Sequence, residues 1–197
     1  MKVDQAIESS EDAKHEPGFP CPACHVITVR QPWASLIALG FKHMEFRTRR
    51  CHFKGPVVIH AAKNWYSAAL LEIVWKHMSN YTEKPKEALQ ALFPCSLPVA
   101  NAVVEDCKQW TDDSYAISLG QVRIVTWPKP AFNGMLGVPW KTSLTTELAS
   151  ALARSRVLEG QEKDGVYKEF ELLALRNKIN DWLKSEKLAH FALTPSR

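Results

Sequence analysis

The chain has only eight glycines in 197 residues, and they form no Gly-rich loop of the kind that cradles phosphates in nucleotide-binding folds. There is no His-Glu-x-x-His and no Ser/His/Asp arrangement in a recognisable motif, so zinc peptidase and serine hydrolase chemistry have no support. No apolar run approaches the ~20 residues that span a bilayer, and no membrane partner is expected. The opening stretch MKVDQAIESSEDAKHEPGFP is polar and lacks an apolar signal core, so export is not expected. Cysteine is scarce and odd in number: Cys21, Cys24, Cys51, Cys95 and Cys107. Without an export signal these read as reduced thiols in a cytoplasm. There is no internal repeat and no low-complexity run.

Cys21-Pro22-Ala23-Cys24-His25 has the spacing used for covalent haem attachment, but that chemistry follows export. A zinc knuckle would need Cys51 and His52 as its second pair, and adjacent residues sit awkwardly as two ligands of one tetrahedron. Two free thiols at the end of a polar leader are the expected state. No metal and no cofactor are expected.

What the chain does have is concentrated charge. Residues 26–63 carry Arg30, Lys42, Arg47, Arg49, Arg50, Lys54 and Lys63 against the single acid Glu45, a formal +6, while the whole chain is only +4. A local positive surface is the usual footprint for phosphate or another polyanion.

Val26–Arg30 is short and β-branched and reads as a strand. Proline at 32 suits a helix start, and Trp33, Leu36 and Ile37 fall on one helical face. Gly40 supplies a left-handed stop. If Phe41–Arg50 is extended, His43, Glu45, Arg47 and Arg49 share one side. Val57–Ala62 reads as a strand buried on both faces. Asn64–Gln90 reads as helical with a break at Ser79–Pro85, and a second short helix begins at Ala88. Val99–Glu105 and Gln121–Trp127 read as strands. Leu144–Ser155 and Leu172–Leu183 keep helical spacing, separated by a polar linker at 160–165. The chain therefore divides into a disordered leader (1–23), a β-rich domain (24–141) and a helical C-terminal extension (142–197).

Four segments in this order resemble the ASCH domain, of the PUA-like superfamily: Val29-Arg30-Gln31-Pro32-Trp33-Ala34-Ser35-Leu36, Gly40-Phe41-Lys42, Glu45-Phe46-Arg47, and Gly55–Lys63. The late Pro128-Lys129-Pro130, Gly134, Gly137 and Trp140 continue the match. The resemblance implies an α+β fold built on a small PUA-like β-barrel, with the Gln-Pro-Trp helix at one mouth. It also implies a positively charged cleft there for RNA or a related nucleic acid. Some ASCH proteins are instead amidohydrolases of acylated cytidine nucleosides, using a Lys, a Thr three residues later, and a Glu. Lys42 matches that Lys, and Glu45 stands at the Thr position.

The candidate nucleic-acid-binding residues are Arg30, Gln31, Trp33, Lys42, Arg47, Arg49, His60 and Lys63. If the protein is an enzyme, Lys42 and Glu45 are the catalytic candidates. A buried lysine loses basicity and can act as base or nucleophile. Glu45 and Arg47 can read a base and a phosphate, or they can be an ion pair bracing the domain. Trp33 can stack a base, yet its stripe with Leu36 and Ile37 favours the core. Gln31 can read a base edge or cap backbone. His60 is a core histidine unless the cleft uses it. Three functions compete: an RNA-binding module, a hydrolase of a modified nucleoside or of RNA, and an adaptor whose C-terminal helices dock a partner or a second copy.

Overall fold

The computed structural model describes residues 25–125, 140–141, 152, 155–157, 166, 168, 170–188 and 193. The leader, Cys21 and Cys24, the Pro128–Gly137 part of the motif and most of the expected helix over 144–155 lie outside them.

Six strands form one mixed sheet in the order β2-β5-β4-β3-β1-β6. They are β1 (His25–Gln31), β2 (Met44–Arg47), β3 (Gly55–Trp65), β4 (Pro98–Thr111), β5 (Ser114–Ile124) and β6 (Trp140–Lys141). β1 and β3 are parallel, with Ile27 opposite Ile59, and the other pairings are antiparallel. Among the described residues four helices accompany the sheet: α1 (Trp33–Ala38), α2 (Ala68–Ser79), α3 (Pro85–Leu92) and α4 (Leu172–Ser185). The architecture is α+β. Among the described residues the sheet is not closed by backbone pairing, and β2 and β6 are its edges.

α1 is buried along its whole length. Gly40, at φ 78, ends it, because a residue without Cβ enters the left-handed region without penalty. The chain then folds back so that the N–H groups of Phe41 and Lys42 both donate to the Leu36 carbonyl, at 2.9 and 3.2 Å. This places Lys42 at the helix end facing β2. Gln31 is also fully buried. Its amide nitrogen donates to Ser35 Oγ (2.8 Å) and the Pro94 carbonyl (2.6 Å), while its amide oxygen accepts from the Ser35 N–H (3.1 Å).

Three expectations about the elements need correction. Asn64 and Trp65 finish β3 and do not begin a helix, so α2 starts only at Ala68. Its start is fixed by Ser67, whose hydroxyl accepts from the Leu70 N–H, the usual N-cap bond. The second helix begins at Pro85, earlier than Ala88, with proline in its first turn. The fifth strand begins at Ser114 and pairs with β4 around a turn at Asp112 and Asp113, so it precedes the expected Gln121.

The spacing of Leu172, Leu175, Ile179 and Leu183 does give a helix, and all four side chains are buried in the same core as Leu70, Val74 and Met78 of α2. Burying each such side chain contributes roughly 1.5–3 kcal/mol. The apolar stripe of α4 is thus used inside the chain, against α2, and is not held out for a partner or a second copy. Among the described residues no helix is long and apolar enough to cross a membrane.

Candidate functional site

A cavity of about 610 Å³ opens between α1, β2, the second half of β1, the end of β3 and the end of α4. Four basic side chains line it, Arg30, Lys42, Arg47 and Arg49, against one acid, Glu45. β2 supplies its charged wall. Period-two alternation puts Glu45 and Arg47 on one face of that strand, and the loop after Gly40 brings Lys42 to the same carboxylate.

Lys42 Nζ donates to Glu45 Oε2 at 3.0 Å, with side chains only 7% and 10% exposed. It also donates to the Met44 carbonyl. Arg47 Nη2 lies 3.0 Å from Glu45 Oε1 and donates to the Thr28 carbonyl at 2.7 Å. Each oxygen of one buried carboxylate therefore holds a different cation. Arg47 Nε is buried and makes no hydrogen bond among the described residues. The Lys42 ammonium also stands 5.4 Å from the centroid of the Phe46 ring, a distance at which the ring face attracts a cation. Burial pushes the Lys42 pKa below its ordinary value, and the nearby Arg47 pushes the same way; Glu45 opposes both without cancelling them.

Aromatic rings form the remaining wall. Trp33 and Tyr66 meet edge-on, with centroids 5.7 Å apart, and both line the cavity with Phe46. Trp33 belongs to the hydrophobic core as well, so its two readings are not exclusive. Tyr66 is anchored by its N–H, which donates to the Gln31 carbonyl at 2.6 Å. Thr28 and Thr48 add hydroxyls, and Leu183 and Leu188 close the apolar side.

Of the candidates read from sequence, Arg30, Trp33, Lys42, Glu45, Arg47 and Arg49 come together around this cavity. Gln31, His60 and Lys63 are not among its lining. His60 is buried on β3, with Nδ1 3.4 Å from Thr28 Oγ1, and Lys63 is exposed further along the same strand. Sequence reasoning missed Thr28, Phe46, Thr48, Tyr66, Leu183 and Leu188. The alternation that exposes Arg30 turns Thr28 to the same side, so Thr28 was within reach. Nothing local connects Leu183 or Leu188, more than a hundred residues away in the chain, to Lys42.

Among the described residues no group of three or more His, Cys, Asp or Glu side chains is arranged to hold a metal ion. Compared with known families, residues 27–137 match the model of the ASCH domain. That span holds the whole charged wall and ends before α4. No curated protein matches the chain.

Proposed function

The chain belongs to the ASCH domain family, whose PUA-like fold often binds RNA, and from that premise we propose that this cavity is a binding site for RNA. The observation that carries the reading is the line Lys42–Glu45–Arg47. Two cations on one buried carboxylate leave a positive excess in a space walled by aromatic rings. Such a place suits an unpaired base with its phosphate: the rings take the base face, the carboxylate accepts from an amino group on the base edge, and Arg47 and the more exposed Arg30 and Arg49 meet phosphate oxygens. Recognition of an unpaired base favours single strands and loops over duplex, whose base faces are stacked away.

The barrel belongs to the same proposal. β2 and β1 lie four positions apart in the sheet order, yet Arg47 of β2 reaches the Thr28 carbonyl of β1. A sheet curled toward a barrel accounts for that contact. A cytoplasmic setting is also part of it, consistent with Cys51, Cys95 and Cys107 standing as free thiols.

A second reading, hydrolysis of an acylated nucleoside amide, is favoured by the lowered basicity of Lys42. A neutral Lys42 can take a proton from the water that adds to the amide carbonyl and relay it through Glu45 to the amine as the C–N bond breaks. It predicts turnover of N4-acylcytidine that disappears in Lys42→Ala.

The binding reading is tested by equilibrium titration of labelled single-stranded RNA, duplex RNA and duplex DNA at several salt concentrations. The expected result is a preference for single-stranded RNA and a loss of affinity with salt, roughly 0.7 log units per tenfold salt for each phosphate contacted. Absence of binding to every polymer would overturn it.

A further inference from the structure

Phe46, in the cavity wall, has a second aromatic neighbour that lies outside the cavity. Trp110 of β4 meets Phe46 edge-on, with centroids 5.5 Å apart and planes at 69°. Trp110 is not part of the cavity lining and is 46% exposed. An exposed tryptophan by itself is unremarkable on a protein surface. Trp110 differs in resting on a ring that is itself cavity wall and that stands beside the Lys42 ammonium.

Charges of both signs surround Trp110: Lys108 precedes it on β4, and Asp112 and Asp113 form the exposed hairpin turn that follows it. Phe46 pairs with Ala116, and Ala116 with Lys108. Lys108 thus lies in the same cross-strand row as Phe46, the ring on which Trp110 rests, although the β4–β5 register is irregular between Gln109 and Thr111. Lys108 Nζ is 3.4 Å from Asp106 Oδ2, and Lys54 Nζ is 2.9 Å from Asp106 Oδ1. Two largely exposed lysines thus share one carboxylate on this part of the sheet.

We propose that Trp110 is a second base-stacking subsite, so that the ligand is a single-stranded RNA of at least two nucleotides and not a free nucleoside. One base enters the cavity, its neighbour stacks on Trp110, and Lys108 meets a phosphate of the strand. This rests on the reading of the cavity as an RNA site.

The test compares a mononucleotide with a mixed-sequence pentanucleotide RNA, both titrated against wild type, Trp110→Ala, Trp110→Phe and Lys42→Ala/Arg47→Ala. Wild type is expected to bind the pentanucleotide more tightly than the mononucleotide. Trp110→Ala should lower the ratio of the two affinities by roughly 5- to 150-fold, the loss of one stacked base, and Trp110→Phe should restore most of it. An unchanged ratio in Trp110→Ala, with pentanucleotide binding still lost in Lys42→Ala/Arg47→Ala, overturns the subsite and leaves the cavity reading standing. Equal weakening of both ligands in Trp110→Ala also overturns it, since Trp110 would then only prop Phe46. Failure of wild type to bind either ligand overturns the cavity reading and the subsite with it.

Discussion

Arg47 and Thr28 join two strands that the sheet order keeps far apart: the Arg47 guanidinium donates to the Thr28 carbonyl at 2.7 Å while the same Nη2 lies 3.0 Å from Glu45. Both contacts come from one terminal guanidinium nitrogen, and a lysine ammonium sits one bond closer to the backbone. Arg47→Lys should therefore keep the charge and lose one of the two contacts. The expected cost is about 1.5–3 kcal/mol, the worth of a hydrogen bond to a charged group, read as a lower urea midpoint at unchanged slope. A variant as stable as wild type would show that the Thr28 contact does not hold the seam.

Glu45 is the shared partner of two cations, so removing it is a different experiment from removing all charge. Glu45→Ala leaves Lys42 and Arg47 facing each other without a counter-charge. Breaking a buried pair in this way typically costs roughly 3–5 kcal/mol. Lys42→Met/Glu45→Gln removes Lys42 and the carboxylate at similar volume and leaves one cation, Arg47, on the Thr28 carbonyl, so it should be milder than Glu45→Ala, which strands two. Denaturant melts of the three proteins check this. Equal destabilisation in the single and double variants would contradict the charge argument.

Lys42 should make stability depend on pH in an unusual direction. Its folded pKa is lowered from 10.5, chiefly by burial. Between that lowered value and 10.5 the unfolded chain binds more protons than the folded one, so stability rises with pH across this window. Below the folded pKa the burial penalty is present in full. The difference in stability between wild type and Lys42→Met should therefore move in favour of wild type as pH climbs toward 10.5. A difference that stays flat would mean that Lys42 keeps its ordinary basicity.

Leu183 connects the C-terminal helix to both the core and the cavity. Leu183→Ala should cost about 2–5 kcal/mol and weaken RNA binding by loosening the apolar wall. Leu173, on the outer face of the same helix and 48% exposed, should tolerate alanine within about 0.5 kcal/mol. Thermal melts together with RNA titrations separate the two positions. If Leu183→Ala were neutral, α4 would not be part of the domain core.

The charged wall was legible because it is local. Gly40, Lys42, Glu45 and Arg47 lie within eight residues, and helix-stop chemistry plus strand alternation suffice to bring three side chains together. The stripe Leu172–Leu183 was equally clear as a helix, but amphipathicity does not say what covers the apolar face, and the answer was α2 of the same chain. The β4–β5 hairpin was legible only in part, because the exposed run Lys108–Asp113 interrupts the apolar pattern before it resumes at the buried Ala116, Ile117 and Leu119. Tyr66, Leu183 and Leu188 join the cavity through tertiary packing, which leaves no period to read. Gln31 and His60 were ambiguous because a buried polar side chain and a ligand-reading one have the same identity in sequence. Their partners distinguish them: Gln31 braces α1, and His60 sits beside Thr28.

The RNA site is best probed by the affinity of single-stranded RNA for wild type and for Lys42→Met/Glu45→Gln, both confirmed folded by circular dichroism. The double variant, although folded, is expected to lose at least about tenfold in affinity, the loss of one charged contact to the ligand. Equal affinity of the two proteins would contradict it and place the RNA, if bound, elsewhere on the molecule.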